Sequence, residues 1–286
     1  MNPYPETDLS ATLDCAPRFI AVAPNGGRRT KADHPALPMT ASALAQTAAT
    51  CLEAGAAMIH VHVRRKDGSH LLDAEAYRAV IAAIAAVAGK DLVVQVTSEA
   101  LGLYSPAEQR AVIRATRPEA VSLALRELVP VAGEEAAFAE LLLFLRLIGA
   151  MPQIILYTPD EAVRLADMQQ RGLIPYEKLP VLYVLGRYTA DQTSSPADLL
   201  PFLAEDMPRF DPWSLCAFGP QEAACVTAAA RLGGHARVGF ENNLHRPDGA
   251  LARDNAELVS LTRQAIEAIG LKIGDADALR AATLAA

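Results

Sequence analysis

The sequence predicts an α/β protein folded as a single (β/α)8 barrel. Short runs rich in β-branched and apolar residues alternate with longer Ala/Leu-rich segments along the chain, which is typical of a parallel sheet with helices between its strands. Eight such units fit into 286 residues, a length that suits a closed barrel better than an open doubly wound sheet. No Gly-x-Gly-x-x-Gly follows the first predicted strand, so the turn that a dinucleotide-binding fold needs is missing.

Each predicted strand is followed by a helical pattern. The strands are predicted at residues 19–23, 57–63, 92–97, 120–124, 153–157, 181–185, 213–217 and 236–240. Ser105-Pro106, Thr158-Pro159 and Ser195-Pro196 each place a capping residue before a proline at the first helical position, with an acid two residues later. Gly219-Pro220 is a weaker version of this signal. Residues 1–16 are predicted to form an N-terminal arm, and residues 17–286 one catalytic barrel domain.

Composition and charge exclude several classes of protein. Hydrophobic residues make up 51% of the chain and charged residues 21%, as in a globular domain. A net charge of −7 argues against a general nucleic-acid surface. The chain has no apolar run long enough to span a membrane and no basic N-terminal signal segment. The four cysteines form no Cys-x-x-Cys pair, so we expect reduced thiols in a cytoplasmic protein.

His60-Val61-His62 is the most informative local pattern. It lies in an apolar, β-branched run, and side chains alternate along a strand, so both imidazoles should point to one face. Imidazole is a common metal ligand, and such a pair can supply two ligands to one ion. The alternative is a buried histidine pair bonded to backbone carbonyls.

A carboxylate on the last predicted strand could complete this site. Closure of the barrel makes the eighth strand a neighbour of the first, and catalytic groups in this fold lie at the carboxyl ends of the strands. Alternation places Arg237, Gly239 and Glu241 on one face, so Glu241 is expected to approach the histidine pair. Zinc is the first choice for two histidines and one carboxylate, although some oxygenases bind Fe(II) with the same ligands. The alternative for Glu241 is a helix cap or a surface carboxylate.

Four segments, at residues 23–27, 30–40, 53–64 and 237–243, resemble the β-keto acid cleavage enzyme family in sequence and order. They include Asn25-Gly26-Gly27, His60-Val61-His62 and Glu241-Asn242-Asn243. The resemblance implies a zinc-dependent (β/α)8 barrel that condenses a β-keto acid with acetyl-CoA to give acetoacetate and a new acyl-CoA. It also implies a homo-oligomer, either a dimer or a tetramer.

The resemblance assigns roles residue by residue. His60, His62 and Glu241 match the family's zinc ligands, and Arg237 matches an arginine that works with the adjacent acid. On the substrate side, Thr97 falls where the family has a serine and Ser122 where it has a threonine. Asn25, in the first shared segment, is predicted to contact substrate as well.

This chain departs from the family pattern at the residue that follows the metal glutamate. The family has an acid there, its usual general base, whereas this chain has Asn242, and an amide cannot accept a proton at neutral pH. Glu99 stands where better-known members have glycine, and Arg126 lies after the fourth strand. Our hypothesis is that Glu99 supplies the missing carboxylate and is held by Arg126. The alternative is that Glu99 caps a loop or pairs with a surface base.

The charges at the positions expected to meet the substrate tail also differ from those in the family member that recognises an amine-bearing substrate. Arg28 replaces a glutamate and Gln153 replaces another acid. This exchange disfavours a cationic amine, so 3-keto-5-aminohexanoate is expected to be a poor substrate and a neutral or anionic tail is expected. The cluster Arg28-Arg29-Thr30-Lys31 could instead meet CoA phosphates or be a solvated loop.

Two other functions compete with acetyl-CoA-dependent cleavage. One is a metal hydrolase or aldolase that acts on a β-keto or β-hydroxy acid without CoA. The other is a non-catalytic barrel that binds a small carboxylate, which the loss of the acid at Asn242 favours.

Overall fold

A computed structural model describes residues 16–284 and confirms the predicted fold. Eight parallel strands form a closed barrel in chain order, with the last strand paired to the first. The strands are β1 (Ile20–Val22), β2 (Met58–Val61), β3 (Val93–Thr97), β4 (Ala120–Ala124), β5 (Met151–Leu156), β6 (Val181–Leu185), β7 (Trp213–Ala217) and β8 (His235–Val238). Of the predicted N-terminal arm, residues 1–15 lie outside the described part of the chain.

Helices cover the outside of the barrel. They are α1 (Ala41–Ala54), α2 (Ala74–Ala88), α3 (Pro106–Thr116), α4 (Leu125–Leu128), α5 (Glu135–Leu147), α6 (Pro159–Gln170), α7 (Glu222–Arg231), α8 (Asn255–Ala268) and α9 (Ala276–Leu284). The segment after β6, Pro196–Leu203, is a 3-10 helix instead of the predicted α-helix. Pro201 lies inside it and has no N–H to donate, which disfavours a continuous α-helix.

The predicted helix starts at Ser105 and Thr158 have complete capping boxes. Each side chain accepts from the backbone N–H three residues later, and Glu108 or Glu161 bonds back to the capping residue. The weaker signal before α7 has no side-chain cap. Glu222, the first residue of that helix, is buried and accepts hydrogen bonds from the chain after β8 instead.

The strands read as nearly continuous apolar runs because helices cover their outer faces and side chains fill the barrel interior. Cys51, Cys216 and Cys225 are buried free thiols, as expected, whereas Cys15 lies outside the described residues. Over residues 16–284, no helix combines the length and apolar character needed to cross a bilayer.

Two features near β2 and β8 were not predicted. The chain after β2 forms a small antiparallel hairpin, in which Val63–Arg64 pairs with His70–Leu71. Strand β8 ends at Val238, earlier than expected, and Glu241 lies on the following turn. Gly239 makes this turn with φ of 132°, and a Cβ there would lie 2.6 Å from the Ala23 carbonyl oxygen. Only glycine therefore fits this bend.

Candidate metal centre and catalytic pocket

The structure brings His60, His62 and Glu241 together at the carboxyl end of the barrel. The two histidine Nε2 atoms lie 3.2 Å apart, and Glu241 Oε2 lies 3.6 Å from His60 Nε2 and 3.5 Å from His62 Nε2. Both histidines are about 1% exposed. Alternation along β8 was the wrong reason to place Glu241 here, because the turn after Gly239 delivers the side chain.

A chain of amide groups inside the barrel orients His60. Its Nδ1 lies 2.8 Å from Gln95 Oε1, and the amide oxygen can only accept, so Nδ1 carries the proton and Nε2 keeps a free lone pair. Gln95 donates to Gln153 Oε1, and Gln153 donates to Ser214 Oγ. Pairing of His60 with Gln95 across β2 and β3 makes the first contact possible. Burial, with a further contribution from Arg237, holds the pKa of His60 well below its usual value, so the ring is neutral.

Asn25 fixes the backbone of His62. Its amide nitrogen donates to the His62 carbonyl at 2.9 Å and to the Pro38 carbonyl at 3.1 Å, and its oxygen accepts from the His62 N–H at 3.2 Å. Because both ends of the amide are engaged, the structure indicates a positioning role for Asn25. Asn25 also lines the outer part of the pocket, and its predicted contact with substrate would have to be made there.

Glu241 is held from three sides. Arg237 donates to Glu241 Oε1 at 2.9 Å, the Glu241 N–H donates to the Ala23 carbonyl, and Gly26 packs against its side chain. Burial acts to raise the pKa of Glu241, but the Arg237 guanidinium and the adjacent His62 outweigh it and hold the pKa well below its usual value. The group is therefore a carboxylate, as a metal ligand must be.

These residues fit a divalent cation. Glu241 Oε2 is buried and has no hydrogen-bond partner among the described residues, yet it faces two imidazole nitrogens. Ligand atoms about 2.1 Å from a tetrahedral ion lie roughly 3.4 Å apart, close to the 3.2–3.6 Å separations seen here. One carboxylate and two imidazoles would leave a coordination position for substrate on such an ion. Among residues 16–284, no backbone carbonyl oxygen bonds either imidazole, as the alternative of a purely structural histidine pair would require.

Glu99 and Arg187 form the opposite wall of the pocket. Glu99 Oε2 lies 3.7 Å from His62 Nδ1, and Glu99 Oε1 lies 3.4 Å from an Arg187 guanidinium nitrogen. The predicted partner, Arg126, bonds Glu161 at 2.7 Å and stacks on two tyrosines instead. The prediction that Arg126 holds Glu99 is therefore wrong, and Arg187 has that place.

The remaining predicted residues lie at different depths. Thr97 lines the pocket, whereas Ser122 is fully buried and bonds Thr97 Oγ1 at 3.4 Å. Arg28 is exposed at the outer rim. Gln153 lies in the amide chain beneath His60, so it supports the metal site and does not lie at a substrate tail.

Asn242 is fully buried, and neither end of its side-chain amide has a hydrogen-bond partner in the described structure. Its backbone holds the turn together, because its N–H donates to the Gly239 carbonyl and its carbonyl accepts from Gly219. The position next to the metal ligand therefore carries no group able to accept a proton.

Sequence reasoning missed three supporting residues. Arg187 lies two residues after the end of β6, and a base at the carboxyl end of a barrel strand is a recognisable signal. Gln95 could have been found from its place in β3, level with His60. Glu222 gave no such signal because it reads as a helix start, yet it accepts from the Gly239 N–H and from Asn243.

Comparison with known proteins agrees with this site. The chain is 29% identical over 274 residues to the 3-keto-5-aminohexanoate cleavage enzyme of Fusobacterium nucleatum subsp. nucleatum, covering 92% of this chain and 96% of the relative. It is 27% identical to the 3-oxoadipate:acetyl-CoA acetyltransferase of Cupriavidus necator, covering 93% and 94%.

Among solved structures, the binary complex of ObcA with oxaloacetate superposes with a TM-score of 0.67 at 18% identity, covering 87% of this chain and 67% of that one. At this identity the likeness shows a shared barrel fold. The sequence profile of the beta-keto acid cleavage enzyme family matches residues 17–284. The chain therefore belongs to the β-keto acid cleavage enzyme family.

Proposed function

We propose that this enzyme binds one zinc ion through His60, His62 and Glu241 and transfers an acyl group from a β-keto acid to CoA, with acetyl-CoA as co-substrate. The products are acetoacetate and a new acyl-CoA. The observation that carries the proposal is the buried, unpartnered Glu241 Oε2 facing two oriented imidazoles, in a chain of this family. A divalent cation there would polarise the carboxylate and keto oxygens of the substrate.

Arg237 is suited to stabilise negative charge on a substrate oxygen. One of its nitrogens holds Glu241, while Nε and the second terminal nitrogen are buried without partners in the described structure. Both lie at the end of β8, and the side chain lines the pocket. Buried donors with no internal partner are costly to keep, so a substrate oxygen is their natural acceptor.

Glu99 is the carboxylate proposed to move the proton. It lines the pocket beside the metal ligands, whereas Asn242 cannot serve. Glu99 takes a proton from the carbon between the substrate's carboxylate and ketone. That carbon then bonds to the thioester carbonyl carbon of acetyl-CoA, and the CoA thiolate leaves.

The thiolate next takes the original acyl group, as the bond between that group and the central carbon breaks. The proton held by Glu99 returns to the central carbon, which ends in acetoacetate. Each bond that forms in this sequence is matched by one that breaks, and no oxidant or reductant is needed.

The charges around the pocket favour a neutral or anionic substrate tail. Arg28 and Arg187 line its outer part, together with Arg29, which donates to the Phe240 carbonyl. Of the two acids there, Glu99 is close to Arg187 and Glu241 accepts from Arg237. A cationic amine would meet two guanidinium groups in this region. Dicarboxylic β-keto acids are therefore the first substrates to test, and an amino-bearing acid is expected to be poor.

The test is a panel of β-keto acids with neutral, anionic and amino tails, each incubated with zinc-loaded enzyme and doubly 13C-labelled acetyl-CoA. Labelled acetoacetate and unlabelled acyl-CoA should form together, fastest with the anionic or neutral tails. Highest kcat/KM on the amino-bearing acid would contradict the role given to Arg28. Apo-enzyme reloaded with zinc or Fe(II) identifies the active metal.

A second candidate, a barrel that binds a small carboxylate without turnover, is favoured by Asn242. The CoA-independent hydrolase or aldolase is a separate alternative. Product formation without acetyl-CoA would support the CoA-independent reaction, and binding of a β-keto acid without any product would support the non-catalytic one. The proposed homo-oligomer, a dimer or tetramer, is tested by light scattering of the same preparation.

A further inference from the structure

A large cavity lies outside the catalytic pocket, on the same face of the barrel. This basic groove has a volume of about 640 Å³ and runs between the loop after β1, the hairpin after β2 and the first turns of α1 and α2. Its volume falls within the range of small-molecule and cofactor sites.

The groove is positive in a chain whose net charge is −7. Four cations line it, Lys31, Arg64, Arg65 and Lys66, against one acid, Asp67. The Asp67 carboxylate is engaged at the hairpin turn, where it accepts from the Ser69 N–H at 2.9 Å and from the Ser69 hydroxyl at 2.7 Å. The local field therefore favours an anionic ligand.

The two arginines are structural, which leaves the lysines for the ligand. Arg64 donates to the carbonyls of Asn25, Gly26, Arg29 and Gly68, and Arg65 donates to Tyr104 and to the His70 carbonyl. Lys31 Nζ meets the Pro35 carbonyl at 3.0 Å at the surface, and Lys66 is exposed on the hairpin. Ammonium groups of this kind bind phosphate as mobile point charges.

The floor of the groove is apolar. Met39, Leu44, Val63 and Val80 line it, and the small side chains of Ala41 and Ala76 keep the space between α1 and α2 open. A ligand that combines phosphates with a flat or aliphatic part matches this division into a basic rim and an apolar floor.

One loop joins the groove to the catalytic pocket. Residues 25–29 line the outer part of the pocket beside Glu99 and Glu241, and the next three residues, Thr30, Lys31 and Ala32, line the groove. Arg64, which lines the groove, binds the pocket-lining stretch of this loop through the Gly26 and Arg29 carbonyls. A long ligand bound in the groove can therefore reach the metal centre by crossing this one loop, which Arg64 holds in place.

We propose that the basic groove binds the phosphorylated nucleotide of acetyl-CoA through Lys31 and Lys66, so that the pantetheine arm crosses the residue 25–32 loop to the metal centre. This inference rests on the proposed use of acetyl-CoA. In this proposal Lys31 and Lys66 bind the phosphates of CoA, and Arg28 faces the β-keto acid. The cluster at residues 28–31 is thereby divided between a CoA-binding role and a substrate-binding role.

The experiment compares acetyl-CoA with acetyl-pantetheine, which carries the same thioester without the nucleotide. The Lys31→Glu/Lys66→Glu double variant should lose about tenfold or more in kcat/KM for acetyl-CoA, the loss of roughly one good ionic contact. Its kcat/KM for acetyl-pantetheine and its KM for the β-keto acid should stay at wild-type values. Lys272→Glu, an exposed lysine after α8 on the opposite face of the barrel, is the control.

Three outcomes would contradict the proposal that the groove binds the nucleotide. Equal losses with both thioesters would mean that the variant damages the catalytic pocket. Unchanged kinetics with both would mean that the nucleotide lies elsewhere. A change of molar mass in the double variant, measured by light scattering, would mean that this face is buried between copies of the chain.

A direct measurement separates the groove from the proposed reaction. Calorimetric titration of CoA alone into wild-type and double-variant protein should show about tenfold weaker binding by the variant, even if no β-keto acid is turned over. Equal CoA affinities of the two proteins would contradict nucleotide binding in the groove and would leave the proposed reaction unaffected. If the double variant binds CoA more weakly but the wild-type protein turns over no β-keto acid, nucleotide binding in the groove is supported and the proposed reaction is contradicted.

Discussion

The two walls of the catalytic pocket are built differently. On the β2 and β8 side, every candidate metal ligand is supported by a hydrogen bond: His60 by Gln95, His62 by Asn25, and Glu241 by Arg237. On the side formed by the loops after β3 and β6, Glu99 lies 3.4 Å from Arg187 and 3.7 Å from His62, and the Arg187 guanidinium lies over the Phe218 ring. The difference teaches that the candidate metal ligands are held by hydrogen bonds of 2.8–2.9 Å, whereas Glu99 and Arg187, both on loops, are held by longer contacts.

The largest effect is expected from the supported wall. His60→Ala removes one of two imidazole ligands and should lower both zinc content and turnover, the latter by at least about 10³-fold, because charge stabilisation by the ion is lost. Metal analysis and steady-state rates check this. His245→Ala, an exposed histidine outside the site, serves as the control. Full metal content with turnover within tenfold of wild type would contradict the assignment.

Glu99→Gln tests the opposite wall. If Glu99 accepts the proton, kcat should fall by about 10²-fold or more while zinc content stays at the wild-type level. Glu53→Gln, on the exposed face of α1, should change neither. Undiminished turnover by the metal-replete variant would remove Glu99 from the mechanism. Loss of zinc together with activity would instead make Glu99 a support of His62.

Gln95→Leu tests how much the hydrogen bond between His60 and Gln95 contributes to zinc affinity. Without an acceptor for its Nδ1–H, the ring loses its fixed tautomer and orientation, and zinc affinity should fall by about 10–100-fold. Titration against a competing chelator measures this. Gln109→Leu, a buried glutamine of α3 far from the metal, is the matched control and should bind zinc like wild type. Equal affinities in the two variants would show that the amide chain does not act on the metal.

The smallest effect on turnover is expected at Glu222, which braces the turn that carries Glu241. Burial raises its pKa to about 8, above the value of about 4.3 for an exposed glutamate. The folded chain therefore binds more protons than the unfolded chain between these pH values, so the contribution of Glu222 to stability is largest at low pH and declines as pH rises towards 8.

Glu222→Gln removes that decline. The unfolding temperature of the variant, relative to wild type, should rise steadily from pH 5 to pH 8, while turnover at neutral pH changes only a few-fold because the amide oxygen still accepts from Gly239. Thermal scans across this range check the sign. A difference that stays constant with pH would mean that Glu222 is ionised throughout.

The barrel and the cluster of His60, His62 and Glu241 could be predicted from sequence because most of their signals are local. The period of the apolar residues, the proline-marked helix starts and the spacing of His60 and His62 all follow from neighbours along the chain. The errors came where the chain bends. Glu241 was assigned to a strand that ends at Val238, and Gly239 shows why the estimate of strand length failed.

Partners between distant segments could not be predicted in the same way. Arg126 and Arg187 both follow barrel strands, and nothing in the local sequence says which of them reaches Glu99. Arg126 is drawn away by Glu161 and two tyrosines, contacts that depend on how β4, β5 and the segment after β6 lie together. Gln153 was placed at the substrate tail, although its register in β5 puts it beneath the metal.

The sequence by itself determined the class of fold, the face of the barrel that carries the chemistry and the residue types able to bind a metal there. It also determined that the acid expected after Glu241 is an amide. The tertiary structure decided which arginine meets Glu99, what orients each imidazole, and that the residue 25–32 loop joins a basic groove to the pocket. These depend on closure of the barrel, which brings residues from opposite ends of the chain within a few ångströms. No periodicity along the chain records such a distance.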